Sequence, residues 1–221
     1  MGDLASTWAG VALADAGLPG GRLAAALGVL NRLRVELMGG RYLDLVQARR
    51  GGPGEAAARR ALTSRSGIHT IERPLHLGLA VADGPGSLEG AYSGYGLPSA
   101  RPSGCATRSL VCSAPPEVTG KPAGDDLRAG KETYLVLRAR ALGGRSGRRL
   151  LERVLGDSEL TEEQMDAVRR LIGASGALAD TEIRIAELVG EAKAAIAAAD
   201  VDPCARAALV ALADHVTNRS A

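Results

Sequence analysis

Apolar residues recur at three- and four-residue spacing along most of the chain, while the strict alternation of a half-buried strand is nearly absent. The pattern predicts helices near 3–16, 20–48, 55–65, 69–83, 87–97, 125–142, 146–155, 161–174, 177–199 and 203–217. Several ends carry their own signals. Thr161 with Gln164 three residues later is a capping-box pattern, Asp202 before Pro203 pairs an N-cap with proline at the first helical position, and Gly17 with Pro19 marks a stop. Ala-rich helices joined by short Gly/Pro connections, with no fixed-period repeat, predict an all-α antiparallel bundle forming one domain over residues 1–221.

One stretch breaks the pattern. PSARPSGCATRSLVCSAPP, residues 98–116, holds four prolines and two of the three cysteines, and it has no helical period. A surface loop of this length is uncommon inside a compact domain, so the segment is expected to disrupt the helix before it.

Composition narrows the function classes. With 221 residues, 46% of them apolar and 24% charged, the chain can bury one good core. Asp15 and Asp200 interrupt its longest apolar runs, so no transmembrane segment is expected. Asp3 stands where an export signal would be basic, and three cysteines cannot pair fully, which points to a reducing, cytoplasmic setting. A net charge of +2, with four Tyr, one Trp and no Phe, gives little support for nucleic-acid or membrane-surface binding. MGDLAS fits a myristoylation pattern and NRS at 218–220 a glycosylation sequon, both short enough to arise by chance. Of 27 cations only three are Lys, the mark of a GC-rich genome, and two of those three share one stretch, TGKPAGDDLRAGKET.

In that stretch Lys121 and Lys131 flank a tight turn into a helix that Asp125 can cap. Asp125 and Asp126 would repel a bare phosphate, so a phosphate site here makes most sense with a bridging divalent cation; the plainer alternative is a capped helix with a solvated first turn. A second cluster, SRSGIHTIERPLHLG at 64–78, sets Arg65, Ser66 and Thr70 before Glu72-Arg73-Pro74, where a proline break frees backbone carbonyls. Its alternative is a Pro-kinked core helix with His69 and His76 on a partly buried face, and no Cys or carboxylate stands at zinc-ligand spacing. In MGGRYLDLVQA, 38–48, Arg41 and Asp44 share one helix face, as an intrahelical ion pair would.

In order, GDLASTWA, MGGRYLDLV, RSGIHTIERPLHLG, YGLP and TGKPAGDDLRAGKETYLV resemble the polyprenyl synthetase family of trans-type isoprenyl diphosphate synthases. The resemblance covers almost the whole chain. It implies an all-α bundle of the isoprenoid synthase type around a deep cavity, a homodimer or heterodimer, and condensation of isopentenyl diphosphate with an allylic diphosphate. Two Asp-rich motifs in the family hold magnesium, which draws off the allylic diphosphate. By resemblance, Arg65 stands at a diphosphate-contacting cation and Ser66 at the neighbouring Thr/Ser that helps stabilise the carbocation. Lys121 and Lys131 match diphosphate-binding lysines, Asp125 the acid after the first of them, and Asp44 the acid of a GQxxD pattern whose Gln is replaced by Arg41.

Two departures bear on catalysis. The family's first Asp-rich motif lies upstream of the GDLxxxWA stretch, here at residues 2–9, so the bundle is expected to be incomplete at its N-terminus. The second should fall between YGLP and TGKP, where no acid occurs between Pro98 and Glu117 and Thr107 and Arg108 occupy the motif's place. The segment keeps the family's length. GC-rich codons for LGEAFRLRDE, CTC GGC GAG GCC TTC CGG CTG CGC GAC GAG, read after loss of their first nucleotide as Ser-Ala-Arg-Pro-Ser-Gly-Cys-Ala-Thr-Arg, which matches Ser99 to Arg108. The same shift turns Val-Phe-Gly into the Val-Cys-Ser of 111–113. A compensated frameshift is therefore expected to have replaced the metal-binding helix segment, leaving the chain inactive alone, with Asp125 and Asp126 the residual candidates for magnesium. The alternative is a non-catalytic helical subunit that dimerises with an intact synthase.

Overall fold

A computed structural model describes residues 2–49, 64–105, 124–130 and 132–217. All regular elements among them are helices: α1 Gly2–Ala14, α2 Gly20–Arg49, a π-helical segment Ser64–Glu72 running directly into α3 Arg73–Ala82, α4 Ser87–Cys105, α5 Asp125–Arg128, α6 Tyr134–Leu142, α7 Gly144–Val154, α8 Glu162–Ser175, α9 Ala177–Ala197 and α10 Pro203–Thr217. The expected helix at 55–65 lies largely outside the described residues. No described helix is long and apolar enough to cross a membrane.

The predicted caps form. Thr161 Oγ1 accepts from the Gln164 amide while Gln164 Oε1 accepts from the Thr161 amide, and Asp202 Oδ1 accepts from the amides of Cys204 and Ala205. Gly17 takes a left-handed φ of 65° after α1.

Three elements differ from the pattern. The helix predicted over 125–142 is two helices, because Gly130 turns left-handed at φ 64° and Thr133 starts a new helix with its side chain accepting from the Val136 amide. The winding before α3 is π rather than α; Pro74 cannot donate to the preceding turn, and the wider winding keeps its ring clear of that turn's carbonyl. Finally, α4 does not end at 97 but runs past Pro98 and Pro102 to Cys105. Those prolines stand four apart on one face, so the lost donors fall on one side of a helix already anchored upstream. Residues 106–116, the rest of the expected disruption, lie outside the described residues.

Two hydrophobic clusters hold the bundle. Leu127, Leu135, Val136, Leu151, Val154, Met165, Val168 and Ile172 join α5 to α8, and Tyr95, Val189, Ala192, Ile196, Val201 and Ala213 join α4, α9 and α10. Helix α4 sits between the π segment and α9. Glycine permits this close fit: a Cβ at Gly96 would lie 2.8 Å from the Glu72 Cα, and one at Gly94 would lie 3.1 Å from the Ala195 Cβ. Between them Tyr95 is fully buried and donates to the Leu209 carbonyl at 2.7 Å, tying α10 to the centre.

Candidate functional site

Of the elements expected to carry the site, α2, the π segment and α3 pack on one another, while α5 is held by Leu127 in the other hydrophobic cluster. The C-terminal part of α2 carries Arg41 and Asp44, the π segment carries Arg65 and Ser66, and Asp125 and Asp126 open the short helix α5. For these six residues the backbone is described and the side chains lie outside the described residues, as do Thr107, Arg108, Lys121 and Lys131 altogether. The π segment that carries Arg65 and Ser66 packs on α2; the convergence of these residues with the lysines is an expectation.

Beneath this surface is a polar network the sequence did not reveal. Arg73 grips Glu36 of α2 with two bonds, Nε to Oε2 at 2.9 Å and Nη2 to Oε1 at 2.6 Å. Its remaining nitrogen, Nη1, lies 3.1 Å from His76 Nδ1. A guanidinium only donates, so Nδ1 accepts and the proton of neutral His76 sits on Nε2. That Nε2 lies 3.1 Å from the Glu89 carbonyl and 3.1 Å from Ser93 Oγ, both able to accept. The Ser93 hydroxyl is then free to donate to Glu72 Oε1, at 2.8 Å. Glu72 Oε1 in turn lies 3.8 Å from Arg73 Nη1, which closes the ring. Glu72 and His76 are both buried.

Charge follows the geometry. The hydrogen bonds from Arg73 hold the Glu36 carboxyl below the ordinary carboxylate range against the opposing effect of burial, and Glu36 raises Arg73 in return. His69, on the π segment, is lowered chiefly by burial, with Glu36 opposing and Arg73 reinforcing. Its Nδ1 is buried with no hydrogen-bond partner among the described residues. Thr70 is exposed, and Glu72 and Arg73 are committed inward, so residues 72–76 of the cluster read at 64–78 are structural. The ring satisfies its own donors and acceptors and offers no open metal position. Among the described residues no group of three His, Cys, Asp or Glu is placed to hold a metal ion.

No family model matches the chain. Solved structures do. The geranylgeranyl pyrophosphate synthase from Corynebacterium glutamicum, complexed with isoprenyl diphosphate and magnesium, superposes with a TM-score of 0.89 at 31% identity, covering 99% of this chain and 62% of that one. The polyprenyl synthase from Caulobacter crescentus CB15, complexed with calcium and isoprenyl diphosphate, gives 0.76 at 30% identity over 89% of this chain and 59% of that one. This chain belongs to the polyprenyl synthetase family. Polyprenyl synthetase from Streptomyces coelicolor A3(2), at 23% identity and a TM-score of 0.83, shares the fold. The all-α isoprenoid synthase architecture implied by the motifs is therefore the one observed. The chain spans 59% to 64% of the length of these three polyprenyl synthetases.

Proposed function

We propose that this chain is an isoprenyl diphosphate synthase homologue that retains part of a diphosphate-binding wall, at Asp44, Arg65, Lys121, Asp125 and Lys131, and does not catalyse condensation by itself. The observation that carries it is the likeness, at 31% identity over 99% of the chain, to a synthase complexed with isoprenyl diphosphate and magnesium, set against a 98–116 segment without a single acid. The 98–116 segment supplies no carboxylate to magnesium, since basic or neutral residues fill the second Asp-rich position. The substrates implied are isopentenyl diphosphate and an allylic diphosphate, whose charged end the cations would meet.

Purified protein with magnesium, labelled isopentenyl diphosphate and farnesyl diphosphate is expected to yield no prenyl product above background; clear product overturns the proposal. Calorimetry with pyrophosphate is expected to show weak binding that magnesium helps little, because cations without accompanying acids gain nothing from a bridging ion. That binding should fall with salt and fall again on Lys121→Ala.

A second reading, a helical subunit that pairs with another copy or with an intact synthase, is supported by an exposed apolar face. Leu4, Trp8 and Val11 on α1 and Val35, Met38 and Tyr42 on α2 recur at helical spacing and face solvent. Light scattering on the wild type should report a dimer, and Trp8→Glu should shift it toward monomer.

A further inference from the structure

The ring beneath the π segment has no partner to bind and no open acid or base, yet it is concentrated at one point of the backbone. Glu72 is the last residue of the π winding. Its main chain is backed by Gly96, where a Cβ would lie 2.8 Å from the Glu72 Cα and 2.9 Å from its nitrogen. Its carboxylate is held by Ser93, one helical turn from Gly96 on α4. The next residue, Arg73, is fixed to α2 through Glu36 and to α3 through His76. A nine-residue π winding is unusual, since such windings mostly occur as single turns, and it persists only where surrounding contacts determine it. Among the described side chains, the hydrogen-bonded determinants act at its C-terminal end.

We propose that Ser93, Glu72 and His76 are positioning residues: the Glu72–Ser93–His76–Arg73 ring locks the pitch of Ser64–Glu72 and so sets where the backbone of Arg65 and Ser66 stands relative to α2. If the lock opens, the segment can rewind toward α-helical pitch. Each residue then turns by about 100° instead of the smaller π step, so Arg65 and Ser66, seven and six residues upstream of Glu72, are displaced around the axis. The ligand consequence rests on the diphosphate-binding proposal above; the backbone consequence does not.

Hydrogen–deuterium exchange on the full chain tests the backbone claim. Ser93→Ala should speed exchange in peptides spanning 64–72 while those from α8 and α9 stay unchanged, and Ser93→Thr, which keeps the hydroxyl, should restore protection. Calorimetry with inorganic pyrophosphate tests the consequence: Ser93→Ala should weaken binding roughly three- to ten-fold, the worth of one lost buried hydrogen bond, and Ser93→Thr should recover most of it. Unchanged exchange at 64–72, or an increase spread evenly over all helices, overturns the lock. Localised exchange with unchanged pyrophosphate affinity overturns its positioning role. Should the wild type fail to bind pyrophosphate at all, the diphosphate-binding proposal falls, and the exchange result alone decides the lock.

Discussion

Arg73 shows how much one side chain can settle. Its planar fork matches the two oxygens of Glu36 and still reaches His76, a geometry an ammonium cannot copy. Arg73→Lys is therefore expected to destabilise the protein by about 1–3 kcal/mol, the cost of leaving a charged acceptor short of partners, measured by urea unfolding. Glu36 and His69 both give a stability that falls in acid, in different windows. The Glu36 carboxyl is lowered in the folded state, so its contribution is complete above its ordinary value of 4.5 and is lost as pH falls through the folded value. His69 is also lowered: the unfolded chain takes up its proton first, and stability declines as pH drops below 6.5. The wild-type melting temperature should thus begin to fall as pH drops below 6.5, and His69→Gln should remove that first decline while leaving the further loss below pH 4.5 intact. The sequence placed Glu72, Arg73 and His76 at a helix break but could not name Glu36 or Ser93 as partners. Those lie 37 and 21 residues from their mates, and only packing selects them.

Among the elements, what local chemistry decides was legible and what packing decides was not. Caps at Thr161 and Asp202 depend on residues within one turn, and both form. The split between α5 and α6 was also within reach, because Gly130 and a capping Thr133 stood inside a run read as continuous helix. The π winding and the run of α4 through Pro98 and Pro102 are different: they depend on how α4 is held between two neighbours. Gly96 is the tightest point. Gly96→Ala would drive a methyl into the Glu72 backbone, which cannot move aside as a flexible side chain could. A loss of about 1–3 kcal/mol is expected, with exchange at 64–72 rising as in Ser93→Ala. Tyr95→Phe, one residue away, removes the bond to the Leu209 carbonyl and should cost about 1 kcal/mol, with no local change at 64–72. That contrast separates damage to the core from damage to the winding.

At the scale of the molecule, the fold does not depend on the 98–116 segment for its two hydrophobic clusters. Both hydrophobic clusters draw on residues outside 98–116, which is why the chain can match 99% of its length to a magnesium-bound synthase while that segment carries none of the expected acids. Helix α4 already extends to Cys105, so in-phase residues would continue on a helix that exists. Replacing Ser99–Arg108 with LGEAFRLRDE puts acids at positions 101, 107 and 108 and removes Pro102, the second break in the α4 hydrogen-bond ladder. Two outcomes follow if a frameshift created the present segment. Helicity by circular dichroism should be kept or rise, because Pro102 no longer interrupts the α4 hydrogen-bond ladder. Pyrophosphate affinity should also become magnesium-dependent, roughly ten-fold tighter with the ion than without, equivalent to about 1.4 kcal/mol. A carboxylate pair can share the cation with diphosphate oxygens, which Thr107 and Arg108 cannot. If the exchanged chain keeps or gains helix but binding stays indifferent to magnesium, the acids of this segment do not face the diphosphate wall, and the frameshift account of its lost metal site fails.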